Sequence, residues 1–275
     1  MTRILLLGGT TEAGAMARAL AEAGLDAVYS YAGRTANPVA QPLPMRIGGF
    51  GGPEGLADYL RAERLTQVID ATHPFAEGMS RNAVAACAAT GTPLIALERP
   101  PWVAVPGDRW THVADYEAAA RALPGDGSAV FLAIGRQKLQ PFVGLNHVWM
   151  LRFAEVAAHP LRDATLIVSR GPFTVAGDMA LMRRHAIAHV VAKNAGIVSR
   201  GPFTVAGDMA LMRRHAIAHV VAKNAGGHAA EAKLAAAREL GLPVVMIDRP
   251  VLPLRRVAAT PAEVMAWLHG ADRGV

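Results

Sequence analysis

Short runs of aliphatic residues alternate with alanine-rich segments of helical period along most of the chain, a pattern that predicts buried parallel strands flanked by helices. The run RILLL predicts a first strand, and the stretch from Thr11 to Ala23 predicts a helix closed by Gly24. Further strands are predicted at DAVYSYAGR, MRIGGF, TQVIDAT and TPLIALE, with helices near EGLADYLRAER and RNAVAACAAT. The rhythm stops at ERPPWVAVPGDRW, residues 98–110, where Pro100, Pro101 and Pro106 predict a linker between domains. It resumes through SAVFLAIGRQ, HVWMLRFAE, ATLIVSRGPF, HAAEAKLAAARELG, PVVMIDRP and TPAEVMAWLHGA. The expected fold is α/β: two Rossmann-like domains, residues 1–102 and 103–275, with parallel sheets flanked by helices and a cleft between them.

One feature interrupts an otherwise ordinary pattern. Residues 167–196, IVSRGPFTVAGDMALMRRHAIAHVVAKNAG, recur without a substitution as residues 197–226. Each copy reads as a strand end, a helix and a strand, and two identical β-α-β elements are not a solenoid, which needs at least three units. LRDATL precedes only the first copy, whereas Gly227 and the next helix follow only the second. The native slot is therefore expected to take Ser169, Arg170 and Gly171 from copy one and Lys223, Asn224, Gly226 and Gly227 from copy two, with the surplus extruded between them. Extrusion costs only about 0.6 kcal/mol per doubling of loop length. A spare apolar strand left at the surface is worse, because it invites aggregation.

Composition narrows the class. The 275 residues are 52% hydrophobic and 18% charged, enough to bury the cores of two domains. No apolar run is long enough to span a bilayer, and the four aliphatics before Gly8 are too few for a signal-peptide core, so a soluble cytoplasmic protein with no membrane partner is expected. A single cysteine, Cys87, excludes an intramolecular disulfide and a cysteine metal cluster and fits a reducing compartment. The net charge of +6 comes from scattered arginines, which suits a small polyanion better than nucleic acid. His185 and His189 stand four apart without an acidic partner, so no metal is expected. No Tyr-x-x-x-Lys pair or G-x-S-x-G elbow occurs, which excludes the usual short-chain dehydrogenase and the serine hydrolase. A monomer is the expected state.

The strongest local signal is ILLLGGTTEAGAMARAL. Gly8 and Gly9 allow close backbone approach, the helix start offers free N–H groups and the positive end of its dipole to a phosphate, and Thr10 and Thr11 can cap the helix and donate hydroxyls. Against G-x-G-x-x-G the central glycine is missing, and a tight turn with an ordinary N-cap is the alternative. The second strand ends YSYAGRT with no carboxylate; Ser30, Arg34 and Thr35 are available, and Arg34 suits a 2′-phosphate, favouring NADPH over NADH. VIDATHPFA places Asp70, Thr72 and His73 where ligands enter open α/β sheets, with His73 a candidate proton donor or a structural histidine. RIGGFGG sets four glycines around Phe50, either a ring-approaching loop or a plain turn. In the second half AIGRQ, VSRGPF and AKNAGG each end a strand with a cation, and Arg136, Arg170 and Lys223 could converge on carboxylates.

Taken in order, ILLLGGTTEA, VIDATHPFA, IGRQ, SRGPF, KNAGG and AKLAAARELGLPVVMIDRP resemble the precorrin-6A reductase family of cobalamin biosynthesis over essentially the whole chain, one repeat copy set aside. The resemblance implies an NADPH-dependent reduction of one double bond in a tetrapyrrole, precorrin-6A to precorrin-6B. It also implies that Gly9, Thr10, Thr11 and Glu12 lie at the cofactor phosphates and Asp70, Thr72 and His73 near the nicotinamide or macrocycle. The candidate site then comprises His73 and Lys223 as catalytic residues. Gly8, Gly9, Thr10, Thr11, Glu12, Ser30, Arg34, Thr35, Asp70 and Thr72 are the cofactor residues. Arg136, Gln137, Ser169, Arg170, Gly171, Asn224, Gly226 and Gly227 are the substrate residues. A non-catalytic NADPH sensor and a chain inactivated by its repeat are the competing readings.

Overall fold

The computed structural model describes residues 2–33, 39–127, 129–133, 138–153, 158–168, 187–192, 205, 209, 220–227 and 231–271. It divides into unit 1, Met1–Pro100 with Pro250–Val275, and unit 2, Pro101–Arg249. Unit 1 begins with β1 (Arg3–Leu7), α1 (Thr11–Glu22), β2 (Asp26–Tyr31), β3 (Met45–Ile47), α2 (Pro53–Ala62), β4 (Gln67–Asp70), α3 (Glu77–Thr90) and β5 (Leu94–Leu97). Unit 2 carries β6 (Arg109–Val113), α4 (Tyr116–Arg121), β7 (Ala129–Ala133), β8 (Val148–Phe153), β9 (Ala164–Val168), β10 (Ile187–Ala192), β11 (Val220–Lys223), α5 (Ala232–Glu239) and β12 (Pro243–Ile247). The chain then returns to unit 1 with β13 (Arg256–Ala258) and α6 (Pro261–Ala271).

The sheet of unit 1 runs β13-β5-β4-β1-β2-β3, parallel throughout. The order reverses beside β1, so the carboxyl ends of β1 and β4 open the crevice where ligands bind in such sheets. Strand pleating sorts the β1 side chains. Ile4 and Leu6 pack with Met16, Ala17 and Leu20 of α1, whereas Leu5 and Leu7 pack with Leu56 and Leu60 of α2 and Ala83, Ala86 and Cys87 of α3. A strand buried on both faces needs the unbroken aliphatic run that RILLL supplies.

Residues 250–275, expected in the second domain, belong instead to unit 1. β13 pairs with β5 in parallel, Arg256 opposite Ile95, and Val264 and Leu268 of α6 are buried in the same cluster as Met16 and Leu20 of α1. Sequence proximity favours the preceding domain, but the edge of β5 takes up β13, and Val264 and Leu268 join the core beside α1. Pro250 and Pro253 mark this second crossing as Pro100 and Pro101 mark the first.

The sheet of unit 2 runs β6-β12-β11-β10-β7-β8-β9, again parallel. The surplus strand of the repeat is not extruded as expected. The strand of copy one, β10, pairs with β7, the same strand of copy two, β11, pairs with β12, and the two copies pair with each other. A strand flanked on both sides leaves no apolar edge exposed, which a looped-out copy could not achieve. Val205 and Met209 of copy two pack against Ala222, Leu234 and Met246 beneath the inserted strand.

Candidate functional site

The turn from β1 into α1 is built by two glycines that are needed for different reasons. A Cβ on Gly8 would lie 2.1 Å from Cζ of Tyr29, so Gly8 makes room for a buried ring. Gly9 has φ 118° and nothing within 4 Å of a Cβ, so it supplies a backbone conformation and leaves its side of the turn open. The Gly8 N–H donates to the Ser30 carbonyl at 3.0 Å and the Gly9 N–H to the Tyr29 hydroxyl at 2.9 Å. Burial pushes the Tyr29 phenol far above its ordinary range, so it stays protonated.

Thr10 is the N-cap of α1. Its hydroxyl accepts from the Ala13 N–H at 3.0 Å and donates to the Ala71 carbonyl at 2.8 Å. That hydroxyl is therefore used within the protein rather than offered to a ligand, and it ties the turn to the exit of β4. The N–H groups of Thr11 and Glu12 lack intrahelical acceptors by position. The Glu12 carboxylate receives Arg99 Nη1 at 3.1 and 2.9 Å, so a cation from the end of β5 neutralises the acid in the first turn.

On β4, Asp70 is buried, and one of its oxygens accepts from the Thr72 N–H at 3.1 Å and the Thr72 hydroxyl at 2.6 Å. Thr72 stands 3.5 Å from the Ser80 hydroxyl. His73 Nδ1 accepts from the Phe75 N–H at 3.1 Å, which leaves the neutral ring's proton on Nε2. Ser30, beside the turn, receives Arg46 Nη1 at 3.4 Å. Arg46 also donates to the Gly48 carbonyl and, at 2.7 Å, to that of Gly49, and it covers the Phe50 ring at 3.7 Å. The glycine loop at 48–52 is thus anchored, and the face of Phe50 carries a guanidinium.

Unit 2 places Lys223 and Asn224, both buried, at the end of β11. Lys223 Nζ lies 5.1 Å from the centre of the Tyr116 ring, and Lys138 Nζ lies 5.8 Å from it. Burial raises the Tyr116 phenol to about 12. The Asn224 carboxamide accepts from the Trp102 N–H at 2.7 Å and donates to the Trp102 carbonyl at 2.9 Å, engaging both of its polar ends. The Gly227 carbonyl accepts from the Trp102 indole at 3.0 Å, and Arg249 donates to the carbonyls of Asn224 and Ala225. Gly226 follows with φ 70°. Arg34, Thr35, Arg136, Gln137, Ser169, Arg170 and Gly171 lie outside the described residues.

The sequence pattern therefore brings together Gly8, Gly9, Thr10, Thr11, Glu12, Ser30, Asp70, Thr72 and His73 at the carboxyl ends of β1, β2 and β4. It misses Tyr29, Arg46 and Arg99. Tyr29 had a signal in VYSY, two tyrosines spaced to share one face of a strand otherwise made of small and aliphatic residues.

The family model described as Precorrin-6x reductase CbiJ/CobK matches residues 3–199 and 197–269. The chain belongs to this family. Two relatives named precorrin-6A reductase support the same placement. That of Rhodobacter capsulatus is 54% identical over 281 residues, covering 100% of both chains, and that of Rhodococcus erythropolis is 44% identical over 279 residues, covering 99% of this chain and 100% of its own. A solved structure titled CobK precorrin-6A reductase is 53% identical and superposes with a TM-score of 0.77, covering 100% of this chain and 98% of that one. The family match stops at residue 199 and restarts at 197, at the junction between the two copies of the repeat.

Proposed function

We propose that this protein is an oxidoreductase that reduces one C=C bond of precorrin-6A with NADPH, giving precorrin-6B, with unit 1 holding the cofactor and unit 2 the acid-fringed macrocycle. The observation that carries this reading is the β1–α1 turn at the strand-order reversal of unit 1, in a chain 54% identical end to end to a precorrin-6A reductase. The turn suits a pyrophosphate: Gly9 leaves one side open, and the first amides of α1 face the anion with the helix dipole behind them. Thr11 and Glu12 would hold the phosphates through their backbone, Ser30, Arg34 and Thr35 the adenosine end with its 2′-phosphate, and Asp70 and Thr72 the nicotinamide side.

When bound, the dihydronicotinamide supplies a hydride to one carbon of the double bond. The chain must deliver a proton to the other. His73 is the first candidate, since its Nδ1 is engaged by Phe75 and its Nε2–H is the donor. Lys223 is the second, at the end of β11 among the residues that would meet the substrate. Arg136, Gln137, Ser169, Arg170, Gly171, Asn224, Gly226 and Gly227 complete the substrate set, in which cations matched to carboxylates do the gripping.

Mixing the protein with NADPH and precorrin-6A while following nicotinamide absorbance tests the activity; folded protein that oxidises no NADPH sinks it. Thr11→Glu, which adds a carboxylate at an exposed position of the turn, should abolish NADPH binding. Unchanged binding would move the cofactor away from this turn.

A further inference from the structure

The Gly9 amide, which a dinucleotide turn would be expected to aim at its ligand, is already committed to the Tyr29 hydroxyl at 2.9 Å. The Tyr29 ring packs against that of Tyr31, the ring centres 4.6 Å apart. Tyr31 in turn donates to the Val39 carbonyl at 2.8 Å and accepts from Gln41 Nε2 at 2.8 Å. The Tyr29 hydroxyl thus holds the turn, and its ring is backed by Tyr31, whose own hydroxyl is tied to the segment that precedes β3.

Two further facts give the Gly9–Tyr29 bond a purpose. Gly9 holds φ 118°, a conformation that needs an anchor because glycine has no preference for it. Gly8 has no Cβ because the Tyr29 ring fills that place.

We propose that Tyr29 is the positioning residue of the cofactor turn, fixing the Gly9 peptide from beneath. This rests on the placement of the cofactor at that turn. Tyr29 touches no ligand; it decides where the Thr11 and Glu12 amides point.

The decisive variant is Tyr29→Phe, which keeps the ring against Gly8 and removes only the oxygen. In the ligand-free protein, amide exchange at Gly9 should speed up about tenfold, with Gly8, bonded to the Ser30 carbonyl, unchanged. KM for NADPH should rise about five- to tenfold with kcat unaltered, the effect of one lost hydrogen bond expressed only in binding. Unchanged Gly9 exchange or unchanged KM in Tyr29→Phe overturns the proposal. If Thr11→Glu abolishes NADPH binding while Tyr29→Phe is silent, only the role of Tyr29 falls; if both are silent, the cofactor site itself is misplaced.

Discussion

Val190 and Val220, the same valine of two identical 30-residue segments, stand opposite each other in the parallel ladder between β10 and β11. The second copy therefore extends the sheet by one strand in the register its twin already uses. A shift by the length of the repeat leaves the backbone register intact, Val191 facing Val221 one step on. Without the extra strand, five strands of unit 2 would repeat the order β5-β4-β1-β2-β3 of unit 1, while the edge strand, β6, comes first in its unit where β13 comes last.

Deleting residues 167–196 gives the same sequence as deleting 197–226. The shortened chain is expected to pair its single IAHVVA strand with β7 on one side and β12 on the other. NADPH affinity should stay within about twofold, since unit 1 is untouched. Fluorescence titration of the bound nicotinamide and amide exchange on the remaining strand check both points; loss of protection at β12 would refute the shared slot.

Gly8→Ala drives a methyl into the Tyr29 ring. The variant should lose about 1–3 kcal/mol of stability, as overpacked sites do, and bind NADPH poorly. Chemical denaturation gives the first and titration the second. Stability equal to the parent would mean that the ring can move aside.

Asn224→Ala removes both bonds to the Trp102 backbone and should cost about 1–3 kcal/mol. Tryptophan emission during denaturation reads the loss. Asn224→Asp keeps the acceptor for the Trp102 N–H but sets an oxygen against its carbonyl, so it should rescue little.

Arg99→Ala uncovers the Glu12 carboxylate in the first turn of α1. KM for NADPH should rise, more at low ionic strength than at high, because the exposed charge acts through screened water. A rise independent of salt would argue for a purely structural role.

Burial, and secondarily the nearby Asp70, raise the Cys87 thiol from 9.0 to about 12. The folded thiol should resist thiol reagents at pH 8 and react once the protein unfolds. The folded value exceeds the unfolded one, so above pH 9 the unfolded chain releases its proton first and stability falls as pH rises towards about 12. Cys87→Ala should flatten that part of the alkaline stability profile.

Much of this was legible in the sequence because local pattern and tertiary demand agree. RILLL is buried on both faces, Thr10 caps α1, and Gly24 closes it with φ 65°. The misses share one cause, which is that contact partners far apart in sequence leave no periodic trace. Nothing in RVAATPAEVMAWL says that its strand prefers β5 to the sheet just left, and nothing in IAHVVA says that two copies will stack rather than compete. Thr10 was legible as a cap, but its second bond, to Ala71, depends on a strand sixty residues away. Arg99 likewise reads as a linker residue until β5 delivers it to Glu12.

The return of β13 and α6 to unit 1 has a consequence for synthesis. As the polypeptide leaves the ribosome, its first hundred residues emerge with the β5 edge bare and Met16 and Leu20 lacking their cover from Val264 and Leu268. Unit 2 has all of its strands first, so the domain translated earlier is completed later, and a nascent chain arrested before residue 250 would be the form that most needs a chaperone.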